Sequence, residues 1–436
     1  MAALIAVLFG AGCDGCPKVS RCDVRKRDCQ HEVMEAVACL RGGGSDELPK
    51  VSVISEEEFI EILAAFVAED PEAQAEAEAA YRLWNRGLSL FALAPADYEV
   101  ADALADSAGE TAAAYLHDTR EIVIIDRGGS LDTNGAVELF AHEIVHALQD
   151  QELDLDVYSE RFATDFDSSL ALDAIVEGEA VHYQILAAIE LAGRGPNELD
   201  WEGFYTDWRS ETLRDAETDE APVALADMRF PYAFGGGFVG QHWLARGRAG
   251  IDALFEDPPR TTSEVMFGTS RAELEAEQAL LHEHAVPALP EAFVEHTETA
   301  LGAWIARMYA ARANLDVGAR LDTSRALAAD AFSVHHDEQS DLLVAAWRTR
   351  FLEDSLSRTW PGIDGMRYLA RTEDASREFI LMAGDPQLPA DADALAWRAP
   401  AEEEPAEDEA SALASAWRAA RALGRARACP AGRPAW

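Results

Sequence analysis

Lysine is nearly missing from this chain of 436 residues: only Lys18, Lys26 and Lys50 are present. Arginine brings the basic total to 36 against 80 acidic residues, a formal net charge of −44. A surface so negative repels phosphate backbones and anionic lipid, which excludes nucleic-acid binding and electrostatic docking to membranes. No apolar run approaches the roughly 18 residues that a membrane-spanning helix needs. Aromatic residues are sparse at 8%, and no internal repeat is visible. The length is too great for one compact core and predicts two or three domains of about 100–200 residues each.

Cysteine is scarce too, but it is concentrated. Five of the six residues fall within Cys13–Cys39, and the sixth is Cys429. Ahead of them, MAALIAVLFGAG is apolar, rich in small residues and uncharged, and it resembles the end of a bacterial lipoprotein signal peptide with Cys13 as the lipidated residue. Residues 1–12 are therefore expected to be a leader, and the chain to be exported to the cell envelope or beyond it. A lipid on Cys13 would be its only membrane link. In an oxidising compartment Cys16, Cys22, Cys29 and Cys39 can form two disulfides, with three pairings open; a structural zinc site is the alternative. The polar, helix-forming sequence around them predicts a small stapled helical hairpin over 13–45, closed by the GGGS linker at Gly42–Ser45.

Beyond the linker the pattern is largely helical. SEEEFIEILAAFVAED opens on an N-cap serine with an acidic first turn, and further helices are predicted over about 71–84 and 98–107. TAAAYLHDTREIVII (111–125) carries two β-prone stretches around a polar turn. Long helices follow over about 136–150 and 168–191, the second ended by GRGP. Residues 197–300 read as helices and loops, and 301–395 as a small α+β domain. That domain has a β-hairpin over 328–351, with His335 and His336 in its polar turn, and a strand over 376–384. The acidic run 401–410 reads as a solvated, disordered tail, and the basic stretch ending at Cys429 as a short helix; the tail is taken as 396–436.

The chemistry concentrates in AHEIVHALQDQ (141–151). Residues four apart share one helix face, so His142 and His146 can address a single ion at bond lengths of roughly 2.0–2.1 Å. Glu143 between them is placed to act as general base toward the attacking water, as in metallopeptidases. Thr133 and Asn134 are N-cap candidates for this helix, and Val137, Phe140, Ile144, Val145 and Leu148 give it an apolar surface. A catalytic zinc site also needs a third protein ligand. Glu177 lies 31 residues after His146 in ALDAIVEGEAVHY, among apolar residues where a carboxylate requires a cation. Glu179 competes, although it projects about 200° further round the helix; His182 is a weaker competitor. Gly178 favours Glu177, because a glycine there permits close helix approach. Asp150 and Asp173, each one turn from a proposed ligand, are candidate acceptors for the second ring nitrogen of a ligating histidine.

AHEIVHALQDQ followed by AIVEGEA resembles a family of bacterial, often exported HExxH proteins built on a gluzincin-like zinc metallopeptidase pattern, usually HE-x-x-HALQDQ and then (A/L)VEG(E/D)A. AAAYLHDTREIVII, FPYAFGGGFV and DPPRTTSEVMF are similar to further segments of that family, so the likeness spans about residues 80–385. LHD stands where YDP is common, and MFGTSR where LHPEKY is frequent. The resemblance implies a predominantly helical α+β fold. Its zincin-like core, an active-site helix with a small sheet, would cover 50–300, ahead of the C-terminal domain. It also implies Zn2+ held by His142, His146 and Glu177, with Glu143 catalytic.

The function this points to is a zinc-dependent endopeptidase acting on a peptide or protein. The alternatives are a non-catalytic, zinc-stabilised envelope lipoprotein and a hydrolase of non-peptide amides. Glu143 favours catalysis, since a scaffold needs the histidines but not the base. A second donor is expected to hold the oxyanion: Tyr232 of the FPY segment, with His182, Tyr183 and His242 as alternatives. The strand Glu121–Ile125 can receive an extended peptide by strand addition. His282-Glu-His284 reads as an exposed helix end.

Overall fold

A computed structural model describes residues 15–43, 47–67, 71–281, 289–352, 363, 368–373, 378–388 and 426–430. The expected leader with Cys13, the His282/His284 pair and the acidic run 401–410 lie outside the described residues. The chain starts with α1 (Arg27–Arg41), β1 (Lys50–Ile54), α2 (Glu56–Val67), α3 (Pro71–Ser89) and α4 (Val100–Glu110). The hairpin β2 (Thr111–Leu116) and β3 (Glu121–Ile125) leads into α5 (Asn134–Leu153), α6 (Leu155–Phe162) and α7 (Phe166–Leu191). Next come α8 (Trp201–Ala216), α9 (Ala226–Phe230), a π-helical turn over Pro231–Gly235, α10 (Gly236–Arg246), α11 (Arg248–Glu256), α12 (Thr262–Phe267) and α13 (Arg271–Leu281). The C-terminal part holds β4 (Val294–Thr299), α14 (Gly302–Arg312), α15 (Val317–Ala326), β5 (Leu327–Asp337), β6 (Leu342–Phe351), β7 (Tyr368–Glu373), β8 (Glu378–Gly384) and β9 (Ala426–Pro430). The fold is α+β and predominantly helical, with two small open sheets. Among the described residues no helix is long and apolar enough to cross a membrane.

The first sheet has the order β1-β3-β2-β9, with β1 parallel to β3 and the other pairs antiparallel. Successive strand residues face opposite sides, and both sides of this sheet are covered. Ala113, Tyr115, Ile122 and Ile124 join the core formed with α1, α5 and α7. Ala114, Leu116, Val123 and Ile125 pack on Phe59, Leu63, Tyr81 and Leu104 of α2, α3 and α4. The near-continuous apolar runs of β2 and β3 follow from this double coverage. The second sheet, β4-β5-β6-β8-β7, is antiparallel and shares a second core with Leu170, Ala171 and Ala174 of α7, around Phe230, Phe234, Trp304 and Trp347. Helix α7 thus belongs to both cores and is buried on all sides, which explains why its sequence shows little amphipathic contrast.

Several expectations need correction. The cysteine segment is not a helical hairpin: an irregular strand of chain folds back on the single helix α1, tied by Cys16–Cys39 and Cys22–Cys29. These bridges resolve the open pairing and, among the described residues of the segment, leave no thiolate for zinc. His335 and His336 lie buried in β5, and the turn begins after them. Residues 426–430, read as part of a helix, form strand β9 on the outer edge of β2. β1 and β4 were not legible as strands at all; they gain that conformation by pairing with β3 and β5.

Candidate metal centre

Helix α5 starts where Thr133 Oγ1 accepts from the Ala136 backbone N–H at 3.1 Å, so the N-cap is Thr133 rather than Asn134. Helix α7 starts on a capping box in which Asp165 accepts from the Ser168 N–H at 2.8 Å and Ser168 Oγ bonds back. The two helices pack against each other. A Cβ on Gly178 of α7 would lie 2.5 Å from the Gly235 carbonyl of the π-helical turn, and one on Gly235 would lie 2.0 Å from Ala174 O. Only paired glycines allow these backbones to touch, and the contact brings Tyr232 of the π turn to the site. Its ring lies parallel to His142 (17°), with centroids 6.0 Å apart.

His142, His146 and Glu177 are buried and meet at one point. His142 Nε2 is 3.0 Å from His146 Nε2 and 3.1 Å from Glu177 Oε2, and His146 Nε2 is 3.2 Å from Glu177 Oε2. The far ring nitrogens settle the protonation. Gln149 Nε2 donates to Val176 O and Glu179 Oε2, both at 2.9 Å, so Gln149 Oε1 faces His146 Nδ1 at 2.9 Å. His142 Nδ1 faces Gln184 Oε1 at 3.1 Å. Gln149 thus puts the His146 proton on Nδ1 and a lone pair on Nε2, and the Gln184 amide oxygen favours the same tautomer for His142. Two lone pairs and a carboxylate oxygen in mutual contact, all three buried, repel one another unless a cation sits among them. Bonds of 2.0–2.1 Å to a tetrahedral ion would separate the ligand atoms by about 3.3 Å, close to the observed spacing. The residues present fit a divalent metal ion.

Burial alone would raise the Glu177 carboxyl; positive charge beside it, a proton on His146 or His142 or the ion in its place, outweighs that and holds it below the usual carboxylate range. Burial lowers His142, keeping it neutral and ready to ligate. Glu143, the residue after His142 on α5, is fully buried. Two imidazoles of an HExxH helix plus a glutamate from a later helix form the catalytic geometry of zinc peptidases, and the site is that of a hydrolase of this type.

The other sequence candidates sit elsewhere. Glu179 points away from the ion position into the guanidinium groups of Arg41 (2.9 Å) and Arg248 (3.2 Å). Asp150 accepts from Tyr115 Oη at 2.9 Å and the Leu155 N–H at 3.0 Å; it does not back a ligand histidine. Nor does Asp173, because glutamines fill both places. Sequence reading passed over Gln149 and Gln184, yet their spacing was available. Gln149 is one turn after His146 on the same face, and Gln184 two turns after Glu177. His242 packs on Phe238, and Tyr183 lies toward Glu179 and Arg248. His182 is enclosed by Trp201 and Trp243, with ring centroids at 5.1 and 4.6 Å.

Burial depresses His182 from 6.5 to about 3. Folded, the ring stays neutral; unfolded, it takes up a proton near pH 6.5. Its stability contribution is complete above about pH 6.5 and is lost as pH falls toward about 3, by ~1 kcal/mol per pH unit. His182→Phe is therefore expected to flatten the acid limb of a stability-versus-pH curve while leaving metal content unchanged. An unaltered acid limb would contradict this placement.

No family model, curated protein or solved structure matches this chain. The assignment of the site rests on its own geometry.

Proposed function

We propose that this protein is a zinc-dependent endopeptidase that works outside the cytoplasm and belongs to the exported HExxH group its sequence resembles. The observation that carries the reading is the convergence of the His142 and His146 lone pairs and Glu177 Oε2, with Glu143 adjacent on the same helix. The set of two imidazoles and one carboxylate suits zinc and leaves a fourth position for water or substrate. When bound, zinc supplies the Lewis acidity that acidifies water and polarises a carbonyl. Glu143 accepts the proton of the attacking water and delivers it to the leaving amine. Tyr232, beside His142, donates a hydrogen bond to the developing oxyanion. Gln149 and Gln184 keep both imidazoles in the ligating tautomer. The two disulfides support an oxidising compartment and hence export.

The route for an extended peptide differs from the sequence expectation. β3 is flanked by β1 and β2, so it has no edge to offer; β1 forms one edge of the sheet, and we take the outer edge of β2 as the peptide track. β9 already pairs with that edge, antiparallel from Thr111↔Pro430 to Leu116↔Ala426, and also touches α5. Deleting residues 426–436 is expected to raise kcat/KM for long peptides several-fold and that for dipeptide-sized substrates little. Equal rates before and after deletion would rule out this edge as the peptide track.

The function itself is tested by digesting a peptide library with the purified protein, with and without chelator. Cleavage that stops with chelator and returns with added Zn2+ is expected. Chelator-insensitive cleavage, or none by the zinc-loaded chain, contradicts the reading.

A further inference from the structure

Arg41 closes helix α1, and its side chain is 1% exposed. Burying a guanidinium is costly unless every charge finds a partner. Arg41 Nε and Nη2 donate to Glu179 at 2.9 and 3.3 Å, and Nη1 donates to Glu152 at 2.7 Å. Glu179 is itself wholly buried and accepts from Gln149 Nε2, whose Oε1 accepts from His146 Nδ1. Guanidinium, carboxylate, amide and imidazole thus form one unbroken chain ending on a metal ligand. Arg248 braces it from outside: its Nη1 donates to Glu179 Oε1 at 3.2 Å and to Arg41 O at 3.1 Å.

The amide is the critical link. An amide can turn over with almost no change of shape. Turned over, Gln149 would present its NH2 group to His146 Nδ1 and drive the ring proton onto Nε2, the nitrogen that must ligate. Val176 O and the Glu179 carboxylate both accept from the NH2 group and together oppose that orientation, and Arg41 holds Glu179, the charged one of the two acceptors, in place.

The position of Arg41 is in turn set by the disulfide-tied segment. Cys39 lies two residues before it and bonds Cys16, and Cys29 near the start of α1 bonds Cys22. Val33, Met34, Ala36 and Val37 of α1 lie in the same apolar core as α5 and α7. Taking the site as a metal centre, we infer that the cysteine-bridged N-terminal helix is a working part of it: Arg41 is a positioning residue that fixes the His146 tautomer through Glu179 and Gln149, and metal affinity depends on the bridge that seats it.

The test uses the full chain, with the zinc dissociation constant measured by competition against a chromophoric chelator and the visible spectrum recorded after Co2+ loading. Arg41→Gln and Gln149→Leu are each expected to weaken zinc binding about 10–100-fold and to alter the Co2+ bands. The double variant is expected to be no weaker than Gln149→Leu alone, because both cut one chain. Cys16→Ser with Cys39→Ser is expected to weaken binding in the same direction. Gln149→Leu removes no charge, so it decides the matter should Arg41→Gln fail to fold. Zinc affinity and Co2+ bands equal to the parent's in Gln149→Leu, or losses that add in the double variant, would overturn the inference. A parent chain that binds no divalent ion would overturn the metal-centre reading on which it stands.

Discussion

Glu143→Gln is expected to lower kcat/KM by about 10²–10⁴-fold, the range for removing a general base, and to leave the zinc dissociation constant where it was. Glutamine keeps the volume and polarity of the buried side chain, so folding and the His142–His146–Glu177 geometry are retained. What is lost is the carboxylate that takes a proton from water. The loss should fall on kcat, with KM little changed, because the interaction is made only as the reaction proceeds. Steady-state kinetics on a cleaved peptide, beside a metal titration, check both halves. An envelope scaffold that merely uses zinc for stability would show no turnover in either protein. A variant with the parent's turnover would remove Glu143 from the mechanism.

Glu177→Ala is expected to abolish both zinc retention and hydrolysis. The variant keeps two imidazole lone pairs facing each other at 3.0 Å but lacks the negative ligand that offsets the charge of a dication in a buried site. Metal binding to the folded chain alone stabilises it, by about 2.7 kcal/mol when free metal is a hundred times the dissociation constant. The parent should therefore show a clear rise in Tm on adding zinc, and Glu177→Ala none. Glu179, only two residues away, serves as a contrast: it belongs to the ion-pair network of Arg41 and Arg248, not to the ligand set. Zinc still raising the Tm of Glu177→Ala as it does the parent's would exclude Glu177 as a ligand.

The site was legible in sequence because its ligands obey local rules. His142 and His146 are one helical turn apart, and Glu177 is a carboxylate in an apolar helix next to a glycine that meets another backbone. The α5 and α7 boundaries were close for the same reason, since capping and periodicity are written locally. What was missed depends on partners distant in sequence. Arg41 reaches Glu179 across 138 residues, and nothing near Arg41 distinguishes it from a surface arginine at a helix end. Asp150 had the right spacing to back His146, but Tyr115 from β2 and the start of α6 claim it. β1 and β9 become strands only because β3 and β2 offer them edges. His335 and His336 read as turn residues by polarity, whereas their neighbours across β4 and β6 bury them.

The most direct measurement is metal stoichiometry with X-ray absorption on the full-length, zinc-loaded protein. The account predicts one ion per chain, with two imidazole nitrogens and a carboxylate oxygen at about 2.0–2.1 Å, and loss of the ion when His142 and His146 are both replaced by alanine. A chain that takes up no divalent ion, or holds one with an unchanged spectrum after those replacements, would contradict it.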